Sequence, residues 1–188
     1  MNKKTNLSQS SFQKSSMKAY RSFTALVLVA LLGACGEVST ANAKKPFPVG
    51  TFNGIIVPPD PGSAATATVP GVDTNNNGIR DEVDRYIAQT YGAEPTKFVA
   101  AQALAIANQL LLITPTTDIN AATAAVYANA DSGVCLVGKF PNDEDAAIRM
   151  NKDMVLQTFN TTGRQKQVQA IVFKVGMFTR STKGVICK

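Results

Sequence analysis

The stretch from Pro95 to Pro115 reads P-T-K-F-V-A-A-Q-A-L-A-I-A-N-Q-L-L-L-I-T-P, and it decides the fold class. Pro95 suits the first turn of a helix, where its missing N–H costs nothing. Val99, Ala103, Ile106, Leu110 and Ile113 recur at spacings of four, three, four and three. That period predicts a helix with this row as its buried face. Pro115 ends it.

The same signals repeat downstream. Thr117 or Asp118 can cap a third helix, on which Ile119, Val126, Ala130 and Val137 share a face. The pattern leaves open whether that helix runs unbroken past Gly133 to Lys139. Pro141-Asn142 followed by Asp143-Glu144-Asp145 is a helix start with acids in its first turn, and that helix is expected to reach Phe159. Thr161 or Thr162 caps the last helix, with Val168, Ile171, Val172 and Val175 facing inward. Upstream, Glu82 to Tyr91 reads as a short helix stopped by Gly92. The expected fold is therefore all-α, a small bundle of four or five helices over residues 72–188.

Immediately before the first helix, Asp73 to Asp84 reads D-T-N-N-N-G-I-R-D-E-V-D. Oxygen-bearing side chains fall at positions 1, 3, 5, 9 and 12 of this twelve-residue loop: Asp73, Asn75, Asn77, Asp81 and Asp84. Gly78 occupies position 6, where a loop wrapped around an ion must turn sharply. Calcium is a hard cation that takes six to eight oxygens. Alternating positions 73, 75 and 77 aim three side chains at one centre. Ile79 offers its backbone carbonyl while its side chain anchors the loop to the core. Asp81 ligates directly or through water, Asp84 closes the site, and Arg80 and Glu82 are expected to point outward. Three carboxylates make a weak site, with affinity of roughly 10⁻⁴ to 10⁻³ M, suited to extracellular calcium. Without metal the same residues make an Asn-rich turn capping the helix at Glu82.

The loop resembles two known calcium loops. It is similar to the EF-hand, but has Asp84 at position 12 in place of Glu and Ile79 at position 7 in place of 8. It is closer to the thrombospondin type 3 loop, D-x-D-x-D-G-I-x-D-x-x-D. It departs from that in Asn75, in Asn77 and in Val83, where a cysteine is frequent, and in being single. The likeness implies calcium binding and brings no further activity. From about residue 58 onward, P-P-D-P-G followed by G-V-D-T-N-N-N-G-I-R-D-E-V-D-R-Y-I also resembles a group of uncharacterised proteobacterial secreted proteins, in which one such loop precedes a helical domain.

Residues 35–71 are rich in Pro, Gly, Ala, Ser and Thr, and are expected to form a tether with a reach of roughly 30 Å or more. Gly54-Ile55-Ile56-Val57 can be a short strand or a segment laid on the domain. Residues 1–34 carry the marks of an export signal: Lys18 and Arg21, then ten apolar residues from Phe23 to Leu32. Leu32-Gly33-Ala34-Cys35 resembles the lipobox of bacterial lipoproteins, which implies cleavage before Cys35 and acylation of that residue. Gly36 after the cysteine implies sorting to the outer membrane. An ordinary secretory signal cut after Ala41-Asn42-Ala43 is the alternative. Met17 is a candidate start, and peptides from residues 1–16 in the precursor would refute it. No other apolar run exceeds about ten residues, so the expectation is a body tethered to the membrane rather than embedded in it.

Export places the remaining cysteines, Cys135 and Cys187, in an oxidising compartment, where a pair reads as a disulfide. Such a bridge stabilises by about 4 kcal/mol in the chain-entropy account; two buried thiols are the other reading.

The formal charge of the 188 residues is +6. Five of the nineteen basic residues, Lys3, Lys4, Lys14, Lys18 and Arg21, lie in 1–34 with no acid among them, so fourteen remain against thirteen acids. A nucleic-acid function loses its electrostatic basis there. Residues 154–188 hold Arg164, Lys166, Lys174, Arg180, Lys183 and Lys188 without an acid. This basic C-terminal region can meet anionic lipid or an acidic envelope protein, or can simply face solvent.

The chain has no histidine, which removes Ser-His-Asp and Cys-His nucleophiles and histidine zinc sites. A carboxylate hydrolase would draw on Glu144 and Asp145 or on Glu94. The reading that follows is a non-enzymatic interaction or structural module of the envelope. A small-ligand binder between helices and a carboxylate hydrolase are its rivals.

Overall fold

The computed structural model describes residues 50–176 and 185. The signal expected over 1–34, the expected lipidation site Cys35 and the C-terminal Cys187 lie outside them. Five helices follow one another: α1 (Asp81–Tyr91), α2 (Pro95–Ile113), α3 (Ile119–Lys139), α4 (Glu144–Thr158) and α5 (Thr162–Val175). The all-α expectation holds. The only sheet among the described residues is a two-stranded hairpin of β1 (Thr51–Phe52) and β2 (Ile55–Ile56), with Thr51 opposite Ile56. Its turn residues Asn53 and Gly54 both have positive φ, 51° and 79°, which suits the twist of a tight hairpin.

The helix starts are built from the side chains that read as caps. Asp118 accepts from the amides of Asn120 and Ala121 at 2.9 and 3.0 Å. Asp143 accepts from Ala146 N at 2.9 Å, and Thr161 from Arg164 N at 3.3 Å. Each satisfies an amide that has no partner inside the helix. Helix α3 runs unbroken through Gly133 to Lys139.

Helix α2 packs against all four other helices. It is long and apolar enough to cross a bilayer, but its position is that of a core helix. Its buried face is not the one expected. Ala100, Ala101, Leu104, Ala105, Leu111 and Leu112 are buried, whereas Val99, Ile106 and Ile113 are about half exposed and Ala103 is exposed. The reason is that α2 is apolar nearly all round, so more than one face satisfies the same spacing. The alanine-rich side faces in, because small side chains let neighbouring helices approach closely. The core joins this face to Ile79, Val83 and Ile87, to Leu136 of α3, and to Ala147, Met150 and Met154 of α4.

The expected tether is corrected over its described part. Residues 50–71 lie on the helical body. Val57 and Ala65 are buried. Asn53 donates to Ala88 O at 3.0 Å, Arg85 to Pro58 O at 2.8 Å and Gln109 to Pro70 O at 2.8 Å. We refer to residues 57–72 as the strap.

Candidate metal centre

The 73–84 loop is wound around its own carboxylates. Asp73 Oδ1 accepts from Asn77 N at 3.2 Å, and its Oδ2 from Gly78 N at 2.9 Å. Asn75 Oδ1 accepts from Asn77 N at 3.3 Å, and Asn77 Oδ1 from Ile79 N at 2.9 Å. These bonds need a backbone that doubles back, and Asn76 and Gly78 supply it with φ of 53° and 82°. Glycine accepts that region without strain and asparagine tolerates it.

From the far side, Asp84 Oδ2 accepts from Asn77 Nδ2 at 2.9 Å and from Asn75 Nδ2 at 3.3 Å. Asp84 is on the first turn of α1 and only 7% exposed. Burial pushes its carboxyl above the usual range. The Asn77 and Asn75 amides oppose that shift, and the charges of Asp81 and Asp73 add to it. Asp81 is buried, and its Oδ1 accepts from Thr74 N at 2.9 Å and Thr74 Oγ1 at 3.2 Å. The structure thus brings Asp73, Asn75, Asn77 and Asp84 together, with Asp81 alongside. Ile79 is 1% exposed and part of the core, as expected for the loop's anchor.

Among the described residues, no three His, Cys, Asp or Glu side chains gather at metal-holding distance. A cation here would draw on carboxamide and backbone oxygens as well as carboxylates. That is a hard-oxygen donor set of the kind calcium prefers. The mutual repulsion felt at Asp84 is the electrostatic demand that a cation would relieve. The donors present fit calcium on both counts. The two carboxamides that now donate to Asp84 would present their carbonyl oxygens after a half-turn about their terminal bonds, at the cost of the bonds those oxygens accept from Asn77 N and Ile79 N.

Arg80 and Glu82 do not point outward. Arg80 is fully buried. Its Nε donates to Glu82 Oε1 at 2.6 Å, Nη1 to Gln109 Oε1 at 3.1 Å, and Nη2 to the carbonyls of Thr158 and Gln157 at 3.0 and 3.3 Å. Arg164 of α5, also fully buried, lies 3.6 Å from the same Glu82 oxygen. It donates to Asn160 Oδ1 at 2.5 Å and to three strap carbonyls: Val69 at 3.0 Å, Thr68 at 3.3 Å and Ala65. Burial first, then the neighbouring Arg80 charge, pulls the Arg164 guanidinium down to about 10, against the effect of Glu82. Burial likewise lowers Arg80, and Glu82 resists. Arg164 stays charged at neutral pH. Sequence reasoning missed this cluster because Arg80 sits in a polar loop and Arg164 in a polar helix turn.

A second cluster joins α1 to α4. Tyr86 and Tyr91 both donate to Asp153 Oδ2 at 2.7 Å, with their rings edge-to-face at 6.4 Å. The carboxylates considered for hydrolysis are not brought together. Glu94 is exposed and pairs with Lys97 at 2.7 Å, and Glu144 and Asp145 are exposed in the first turn of α4. Cys135 is disulfide-bonded. Its expected pairing with Cys187 falls outside the described residues, as do Arg180, Lys183 and Lys188 of the basic C-terminal region, whereas Arg164, Lys166 and Lys174 lie within them.

No family model, curated protein or solved structure matches the chain.

Proposed function

We propose that this protein is a lipid-anchored outer-membrane module whose helical body is fastened by one calcium ion, and that it acts by interaction rather than by catalysis. The observation that supports the metal reading most is the approach of Asp84 to Asn75 and Asn77 across a loop whose Asp73 already caps the amides of Asn77 and Gly78. Calcium would supply charge neutralisation at that centre. Asp73, Asn75, Asn77, Asp81, Asp84 and the carbonyl of Ile79 are the residues proposed to hold it. Ile79 and Val83, both in the core, tie the loop to the bundle, so the site fastens the start of α1. The anchor rests on Leu32-Gly33-Ala34-Cys35. An envelope protein or anionic lipid at the basic C-terminal region is the proposed partner.

Calorimetry with and without calcium tests the metal. A site of about 10⁻⁴ to 10⁻³ M stabilises by about 1.4–2.7 kcal/mol at about 10 mM calcium, from the mass-action relation. Melting should rise by several degrees with calcium, should not rise with magnesium, and should lose its calcium response in Asp73→Ala. An unchanged melting temperature in the wild type refutes the site. Labelling with a fatty-acid analogue, lost in Cys35→Ala, tests the anchor.

A further inference from the structure

We propose that metal binding in the 73–84 loop and docking of the strap, residues 57–72, form one equilibrium joined through Arg80, a step that rests on the reading of the loop as a calcium site. Arg80 is the eighth residue of the loop, between Ile79 and Asp81. Its backbone belongs to the loop, and its side chain belongs to the strap's seat. Gly71 lies so close above it that a Cβ there would overlap Arg80 Cδ and stand 2.9 Å from Arg164 Nη2. Gln109 holds both parts, accepting from Arg80 Nη1 at 3.1 Å and donating to Pro70 O at 2.8 Å. Glu82 Oε1 joins Arg80 to Arg164, which grips the strap carbonyls of Ala65, Thr68 and Val69. Val72 O then accepts from Asp81 N at 2.8 Å. The next residue is Asp73, the loop's first ligand.

The coupling follows from this path. A cation that draws Asp73, Asp81 and Asp84 together fixes the backbone on both sides of Arg80. It thereby fixes where the guanidinium enters the seat. Without a cation, the three carboxylates repel one another and favour an opened loop, and the strap's seat loosens with it. In the other direction, a strap that lifts away carries Val72 from Asp81 and moves the first ligand. Each event therefore favours the other by the same factor. In a lipid-anchored chain, release of the strap would lengthen the tether by up to about 50 Å. Calcium would then set how far the body stands from the membrane.

Hydrogen exchange on the full chain, in calcium or in chelator, tests the coupling alongside calcium titration. Calcium should slow exchange in peptides from 57–72 as well as from 73–84. Arg164→Met removes the strap's grip and touches no proposed ligand. It should leave 57–72 fast with or without calcium and weaken calcium binding by about 5-fold or more, the lower end of ordinary coupling. Gly71→Ala, which blocks the close approach while keeping both guanidiniums, should do the same and serves if Arg164→Met fails to fold. Slowed exchange in 73–84 with 57–72 unchanged overturns the coupling and leaves the calcium site standing. Wild-type affinity in a folded variant whose strap exchanges fast overturns it too. No binding heat and no slowing anywhere removes the site, and the coupling with it.

Discussion

Asp153→Ala isolates the polar latch between α1 and α4. Asp153 Oδ2 takes two phenolic hydrogen bonds at 2.7 Å, from Tyr86 and Tyr91. Hydrogen bonds to a charged group contribute about 1.5–3 kcal/mol each, and a buried donor left without a partner costs about 1–3 kcal/mol. Tyr86 is only 8% exposed, so water replaces its acceptor poorly, whereas Tyr91 is half-buried and is more easily rehydrated. The Tyr86 bond therefore decides the magnitude, and the variant should lose about 2–4 kcal/mol in urea unfolding at neutral pH. A pH signature accompanies this. Burial first, then the hydrogen bond and charge of Asp153, push the Tyr86 phenol up to about 12, with Thr90 opposing. The same two causes raise Tyr91 further. An unfolded chain titrates its phenols near about 10. The native state thus holds these protons more tightly than the unfolded state does. The latch is intact below pH 10 and is lost as pH climbs through about 12. In Asp153→Ala the Asp153 contribution disappears, so phenolate absorbance should grow in at lower pH than in wild type. A loss below about 0.5 kcal/mol, the scatter of surface substitutions, or an unshifted phenolate titration, refutes the latch.

Two further substitutions test the packing. Leu104→Ala, at a side chain 1% exposed, should cost about 2–5 kcal/mol, whereas Ile106→Ser, on the half-exposed row of the same helix, should stay within about 0.5 kcal/mol. Denaturant melts of the pair decide which face of α2 is inside, and a reversed order would restore the face that the spacing suggests. Asp118→Ala removes the acceptor for Asn120 N and Ala121 N and should cost about 1 kcal/mol, read by the same melts, with Asp118→Asn close to wild type. Equal losses in both Asp118 variants would mean that the cap is not the source.

The elements that carry local chemistry were legible in the chain. Pro95, Asp118, Asp143 and Thr161 mark helix starts because each solves a backbone problem that depends only on neighbours a few residues away. The loop was legible for the same reason: Gly78 and the alternating oxygens act within twelve residues of one another. The inward face of α2 was not, since a helix apolar nearly all round offers several faces of the same period. What selects one is the close approach of other helices to Ala100, Ala101 and Ala105, and that is a property of the assembled bundle. The strap was not legible either. Its Pro, Gly, Ser and Thr content describes a chain that forms no regular element. It does not say whether donors elsewhere will accept such a chain.

Those side-chain donors are Arg85, Arg164 and Gln109, and with Arg80 packed beneath Gly71 they explain how this segment can lie on a bundle. A strap whose regular structure is one short 3-10 helix, Gly62–Thr66, exposes carbonyls that must find partners once they are covered. Arg85 meets Pro58 O, while Arg164 meets the carbonyls of Ala65, Thr68 and Val69. Arg80, beneath Gly71, fills the seat. All three arginines are at most 1% exposed. Lysine could not replace them, because an ammonium lacks the planar fork that reaches several fixed acceptors at once. Burying these charges is costly, and among the described residues the only carboxylate linked to Arg80 and Arg164 by ion pairs is Glu82. Backbone carbonyl dipoles that accept from the three guanidiniums contribute to the compensation. It follows that the chain's positive charge is not all surface charge. Among the described residues, Arg80, Arg85 and Arg164 are buried, as are Asp81 and Asp84, so burial withdraws three positive and two negative charges from the surface. A substitution that removes the Arg164 guanidinium takes that donor from the carbonyls of Ala65, Thr68 and Val69, whereas one that removes a strap side chain leaves the carbonyls, and the grip on them, in place.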